Sequence, residues 1–352
     1  MNKEWSEKNK KMQLLIGKEK TFAEGIELLL ELRNELFSRI ADIVYAYPEE
    51  AFSQMPFAGA DGYHSKTLSY SMWHIFRIED IVAHTLIRAD EQVLFAGAWQ
   101  KKTGSPIITT GNELKDEAIA DYSKKLDVKA LLEYCKAVKE STDELLKSLT
   151  YKDLKRSFSE EDKKRVTDSR CVSTDEDAVW LIDYWCGKDV KGLIKMPFSR
   201  HWIMHIEAMC RICNKLCKNA RKGADPIARC GLSCDHCFMK EWCGGCRTPY
   251  NTCSDAIRYP DRNCPNTSCC KERSIDGCFE CDEVKECRKG FYAYDDINAV
   301  KAMAVFIRKY GKKELLKTMD KLHQEHDFEK IQEVLGNDLE GGLKILEETK
   351  DR

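Results

Sequence analysis

Three histidines and a dense run of cysteines are the residues of this chain whose types and spacing can do chemistry. His201 and His205 stand four residues apart in Ser199-Arg200-His201-Trp202-Ile203-Met204-His205. On a helix, a step of about 100° per residue sets these two imidazoles about 40° apart. Ala208, Met209, Ile212 and Leu216 fall in the same arc, so both histidines share an apolar face. The same construction from His74 puts Ile78, Ile81, Val82 and Thr85 beside it, with Glu79 and Asp80 on the far side. An i, i+4 pair can grip one ion, and a third His from a facing helix completes three protein ligands. Three ligands leave a fourth position for water or substrate, the arrangement of catalytic rather than structural sites. On pattern alone, core histidines bonded to backbone or neighbours remain the alternative. His84 and His64 fall outside this arrangement. His323 and His326 sit in a strongly charged C-terminal stretch that reads as surface.

Twelve of the 18 cysteines lie between Cys230 and Cys287, six lie before that block and none after it. Their spacings are Cys230-x3-Cys234-x2-Cys237, Cys243-x2-Cys246, Cys253, Cys264-x4-Cys269-Cys270, and Cys278-x2-Cys281-x5-Cys287. Two of the C-x2-C knuckles carry Gly inside or beside them, and such a turn aims two thiolates at one ion. Zinc ions or an iron–sulfur cluster are the expected occupants. The expected ligands are Cys230, Cys234, Cys237, Cys243, Cys246, Cys264, Cys269, Cys278, Cys281 and Cys287. Cys253 and the adjacent Cys269-Cys270 pair leave the ligand set open. Cys210, Cys213 and Cys217 form a stripe largely opposite His201 and His205, and are expected to pack as small apolar residues against the Cys-rich module or another helix.

Composition excludes several alternatives. The net charge is −2 over 352 residues, which gives no general drive toward nucleic acid or anionic membrane. Within the block, nine Lys/Arg face ten Asp/Glu from Cys230 to Gly290, so a basic nucleic-acid footprint is missing. Cys230-x3-Cys234-x2-Cys237 also matches the cluster spacing of radical S-adenosylmethionine enzymes. Those need a long βα barrel after the motif, and only 115 residues follow Cys237. No apolar run approaches the ~18 residues of a membrane span. The N-terminal stretch lacks the apolar segment of a signal peptide, so the expected location is the cytoplasm. In that reducing compartment many cysteines indicate metal ligands or reactive thiols rather than a disulfide framework.

The elements that must position these residues are helices. Thr21 to Tyr45, Ser65 to Ala89, Val128 to Leu149 and His201 to Asn219 show apolar residues at three- and four-residue spacing. Their long connections suit a four-helix bundle with crossovers. Ala178 to Cys186 adds a shorter apolar stretch. The fold class expected is mainly α: a bundle over residues 1–222, then a Cys-rich module over 228–290, closed by C-terminal helices over 291–352. The block holds no long apolar segment, so metal is expected to keep it folded.

Ser71-Met72-Trp73-His74-Ile75-Phe76-Arg77-Ile78-Glu79-Asp80 resembles the second-helix motif of the DinB/YfiT-like superfamily, and Ser199 to His205 resembles its late H-x3-H motif. The resemblance covers roughly residues 15–220. It implies a DinB-like four-helix bundle with His74, His201 and His205 as ligands of a divalent metal, often zinc or nickel. It also implies a transferase or isomerase chemistry that uses a low-molecular-weight thiol with a small electrophile. Many members carry further His and an R-G-Q stretch after the motif, where this chain reads Ile206-Glu207-Ala208-Met209-Cys210-Arg211-Ile212-Cys213. Cys230-Gly231-Leu232-Ser233-Cys234, Cys243-Gly244-Gly245-Cys246-Arg247 and Cys278-Phe279-Glu280-Cys281-Asp282 resemble an uncharacterised cysteine-rich domain family of bacteria and archaea over roughly 228–325, which implies metal or cluster binding. Two functions follow. One is a metal-dependent thiol transferase. The other is a non-catalytic metal or redox sensor whose bundle serves as a binding or homodimerising platform.

Overall fold

The computed structural model describes residues 2–60, 64–250, 252–253, 255–259 and 262–352. The chain is mainly helical, and among the described residues its β structure is one isolated antiparallel bridge, Ile227 with Ser233. No helix of the described residues is long and apolar enough to cross a membrane. The chain divides into two compact units, Met1–Val44 with Pro48–Ile212, and Tyr45–Tyr47 with Cys213–Arg352. Composition places the boundary after Lys222. The structure places it ten residues earlier, inside a helix, because packing rather than composition decides which unit a helical turn joins.

The first unit opens with α1 (Lys3–Leu15), capped by the Asn2 side chain, which accepts from Trp5 N–H. Next comes α2 (Phe22–Ala46), whose Leu29, Leu32, Leu36 and Ile40 are buried along one stripe. The third helix, α3 (Leu68–Asp80), starts at Thr67, whose hydroxyl accepts from Tyr70 N–H. α4 (Val128–Ser148) starts at Asp127 in the same way. α5 (Glu176–Cys186) and α6 (His201–Arg221) follow after shorter helices. Two wider, π-helical segments flank the histidines. One runs on from α3 over Ile81–Arg88, and the other, Met196–Arg200 with Pro197 inside it, leads into α6. Such segments recur near functional sites because they re-aim the side chains around them.

Every residue of α3 from Leu68 to Asp80 is buried. The far side of this helix, where Glu79 and Asp80 are expected, is therefore interior as well. Each carboxylate is paired there, as a buried charge requires. Glu79 receives two hydrogen bonds from Arg33 of α2, at 2.7 and 2.9 Å, and one from the Trp202 indole of α6 at 2.8 Å. Arg33 also reaches Asp143 of α4 at 2.6 Å. Asp80 accepts from Arg77, from the Tyr134 hydroxyl of α4 and from the backbone of Val93 and Leu94. One buried ionic network thus ties α2, α3, α4 and α6 together, with Phe76 set edge-on against Trp202 at 4.7 Å.

The second unit has its own apolar core. α8 (Asn298–Tyr310), α9 (Lys312–Glu325) and α10 (Leu339–Asp351) follow α7 (Pro265–Glu272). Met303, Phe306, Leu315, Met319, Leu322 and Leu346 are buried together with Cys270, Cys278, Phe279 and Tyr292. The C-terminal helices are therefore the core of this unit rather than its lid. Gly231 has φ +88°, and a Cβ there would come 2.7 Å from the Ala304 Cβ of α8, so only glycine lets the first cysteine loop lie this close to the helix.

Candidate metal centres

α3 and α6 bring His74, His201 and His205 together, all three buried. His74 Nδ1 lies 3.0 Å from the Thr110 carbonyl. A carbonyl only accepts, so Nδ1 carries the proton and Nε2 presents its lone pair. That Nε2 stands 3.3 Å from His201 Nε2. Two nitrogens bound to one tetrahedral zinc at 2.0–2.1 Å would stand about 3.3–3.4 Å apart. The His205 ring lies 4.8 Å from His74 and 4.5 Å from His201 between centroids. One ligand atom from each ring lies within 4.8 Å of the others, and among the described residues no fourth His, Cys, Asp or Glu joins the group. The group could hold a metal ion.

The electrostatics suit that use. Burial lowers the His74 pKa to about 4, and burial with the neighbouring imidazoles takes His201 and His205 well below the ordinary range. All three are neutral at pH 7, the form a cation needs. His201 Nδ1 is buried with no hydrogen-bond partner among the described residues, so this ring has bonding capacity the chain does not satisfy. Tyr70 stacks on His74 at 5.6 Å and 11°. A cavity of about 450 Å³ opens onto the three rings. Trp180, Leu181, Tyr184, Trp185, Met196 and Pro197 form its apolar wall, and Lys66 and Asn112 supply polar groups.

The cysteines separate into two groups. Cys230, Cys234, Cys237, Cys243, Cys246 and Cys264 line one small cavity of about 40 Å³, and Cys253 lines it with them. Among the described residues no three of these cysteines bring their ligand atoms as close together as the imidazoles do. At Cys243-Gly244-Gly245-Cys246 backbone donors reach both sulfurs: Gly245 N–H donates to Cys243 Sγ and Arg229 N–H to Cys246 Sγ, both at 3.2 Å. Burial pushes the Cys253 and Cys264 thiols up to about 12, and burial plus the neighbouring sulfurs raises Cys230, Cys234 and Cys243. Seven thiols in one cavity can ionise together only if positive charge enters it.

Cys269, Cys278, Cys281 and Cys287 are not part of that cavity lining. Cys278 lies instead beside Cys270, sulfur to sulfur 3.8 Å, in the apolar core. Hydrogen bonds from Cys270, Asn266 and Tyr292 favour the Cys278 thiolate and hold its pKa below the ordinary thiol range. Arg273 donates to Cys281 at 3.3 Å. Among the described residues no disulfide joins any of the 18 cysteines. The two glycine-bearing C-x2-C knuckles therefore belong to different groups.

Cys253 and Cys270 are the residues that spacing misses. Cys253 belongs to no knuckle, and only the folded chain places it in the cavity lining. Cys270 had a signal. Adjacent residues on a helix point about 100° apart, so only one of Cys269 and Cys270 can face the core, and Cys270 is the buried one. The other histidines have ordinary partners. His84 is bonded to Asp90 and Ser141, and His64 to Arg211, while His323 and His326 are exposed. Cys210 accepts from Arg39, and Cys217 meets the Tyr47 hydroxyl at 3.2 Å and Thr252 at 3.9 Å. The chain matches no known family model, and no curated protein is similar to it.

Proposed function

We propose that the chain is a two-centre metalloprotein whose imidazole site is a reaction centre of the DinB/YfiT-like kind. His74, His201 and His205 would hold one divalent ion, zinc or nickel, and the reaction would join a low-molecular-weight thiol to a small electrophile. The observation that supports this reading is the 3.3 Å separation of the His74 and His201 Nε2 atoms in a three-ligand group that faces a cavity. When bound, the ion supplies Lewis acidity that lowers the pKa of a thiol at its open position. The chain's own residues do the rest. The Thr110 carbonyl holds His74 in the ligating tautomer. Trp180, Tyr184 and Trp185 offer an apolar wall that excludes water and seats the carbon skeletons of the reactants.

The seven-thiol cavity would hold the second centre, zinc or an iron–sulfur cluster, as a structural element of the second unit. A reducing compartment such as the cytoplasm keeps these thiols available. One observation favours the sensor reading: the Cys270–Cys278 contact, in which the more acidic Cys278 is poised beside a second thiol.

The test is metal and acid-labile sulfide analysis of anaerobically purified protein, followed by cobalt substitution at the imidazole site. The reaction reading expects one ion that His201→Ala removes while the thiol-bound metal stays. It also expects a sulfur-to-cobalt charge-transfer band on adding 2-mercaptoethanol. A cobalt spectrum indifferent to thiol would end the transferase reading and leave the sensor.

A further inference from the structure

The cavity above the three histidines is unbalanced in charge. Among the described residues its lining holds no Asp or Glu, yet it holds the Lys66 side chain. Lys66 is half-buried just before α3, and its ammonium lies over the Tyr70 ring, 4.9 Å from the centroid. Cation–π contact of this kind only partly replaces the water an ammonium loses. Among the described residues Lys66 is attracted by Asp116, an exposed residue outside the lining. Burial accordingly lowers the Lys66 pKa. Lys66 is also close enough to His74 and His205 to disfavour their protonation. Beside it in the lining, Asn112 accepts the Thr110 hydroxyl on Oδ1 at 2.8 Å, a bond that makes no use of its amide N–H groups. A cation at the histidines would raise the positive charge in this apolar space further. Burying such charge without a counter-charge is costly.

We infer that Lys66 and Asn112 form an anion subsite, and that the natural ligand of this cavity carries a carboxylate at one end and an apolar or aromatic body. The carboxylate would accept from the Lys66 ammonium and the Asn112 amide, while Trp180, Tyr184 and Trp185 cover the body. This deepens the proposed function and rests on it for the cavity's being a substrate site. The subsite itself depends on Lys66 and not on the identity of the ion.

The experiment compares 3-phenylpropionate with 3-phenylpropanol, two probes of one shape and different charge, by calorimetry on the zinc-loaded full chain. The acid should bind about tenfold to a hundredfold more tightly, the range of a hydrogen bond to a charged group. Lys66→Met should abolish that preference and Lys66→Arg should retain it, both with unchanged zinc content. His201→Ala should keep the Lys66-dependent preference. Equal binding of acid and alcohol by the parent chain overturns the subsite, as does an acid preference that survives in Lys66→Met. If zinc fails to bind while the Lys66-dependent preference persists, the metal-centre reading falls and the anion subsite stands.

Discussion

At the scale of single residues, the protein invests in side chains that are costly to bury and then satisfies them. Glu79 is the clearest case, since it bonds Arg33 twice and Trp202 once in the full interior. Glu79→Ala should leave the Arg33 guanidinium with Asp143 and the Phe198 carbonyl, one carboxylate short, and destabilise the first unit by about 3 kcal/mol, the low end for breaking a buried pair. Denaturant unfolding followed by circular dichroism measures it, and a change below about 0.5 kcal/mol would show the network to be idle. The histidines carry a pH signature. His74 has a pKa of about 4 when folded against an ordinary value of 6.5. The unfolded chain therefore takes up a proton first as pH falls. The metal-free protein should keep full stability above pH 6.5 and lose it progressively between 6.5 and 4. At pH 5 the His74 contribution is about 2 kcal/mol. Thermal melts of chelated protein at pH 7 and pH 5 test this, with His74→Gln expected to shrink the difference.

At the scale of elements, the cysteine block is two structures rather than one. Its first part, Cys230 to Cys264, lines the thiol cavity. Its second part shares an apolar core with α8, α9 and α10 through Cys270, Cys278, Phe279 and Tyr292. The expectation that metal alone holds the block together is thus too broad. Strong chelation under reducing conditions should raise hydrogen exchange over residues 228–264 and leave α8 and α10 protected. Uniform loss of protection from 228 to 352 would show that the thiol centre holds the whole unit. Gly231 is the joint between these parts. Gly231→Ala would meet Ala304 and require a left-handed φ from a residue with a side chain. It should lower the melting temperature of the second unit by several degrees, about 1–2 kcal/mol, without changing metal bound at the histidines.

At the scale of the whole molecule, each unit has a separate apolar core. Two unfolding transitions are expected in calorimetry. Removing thiol-bound metal should shift one of them, and His201→Ala should alter only the other. A single transition that moves under either treatment would mean that the two cores cooperate through α6, the helix whose residues are divided between the units at Cys213.

What the sequence determined by itself was local. Helical periodicity located the long helices to within a few residues. The H-x3-H spacing placed two imidazoles on one face, because a helix repeats every 3.6 residues whatever surrounds it. Glycine in the knuckle at Cys243 to Cys246 marked a turn that backbone conformation alone requires. The tertiary structure decided what each of these meets. Whether the far face of α3 was solvent or core depended on α2, α4 and α6, so Glu79 and Asp80 could not be placed from their angle. Which cysteines share a cavity depended on loop paths between positions far apart in the chain. That is why Cys253 joined Cys230 while Cys278 turned to Cys270. Lys66 had no pattern at all. Its setting is the aromatic wall and, among the described residues, a cavity lining without carboxylates, and these are brought together from separate segments only when the chain has folded.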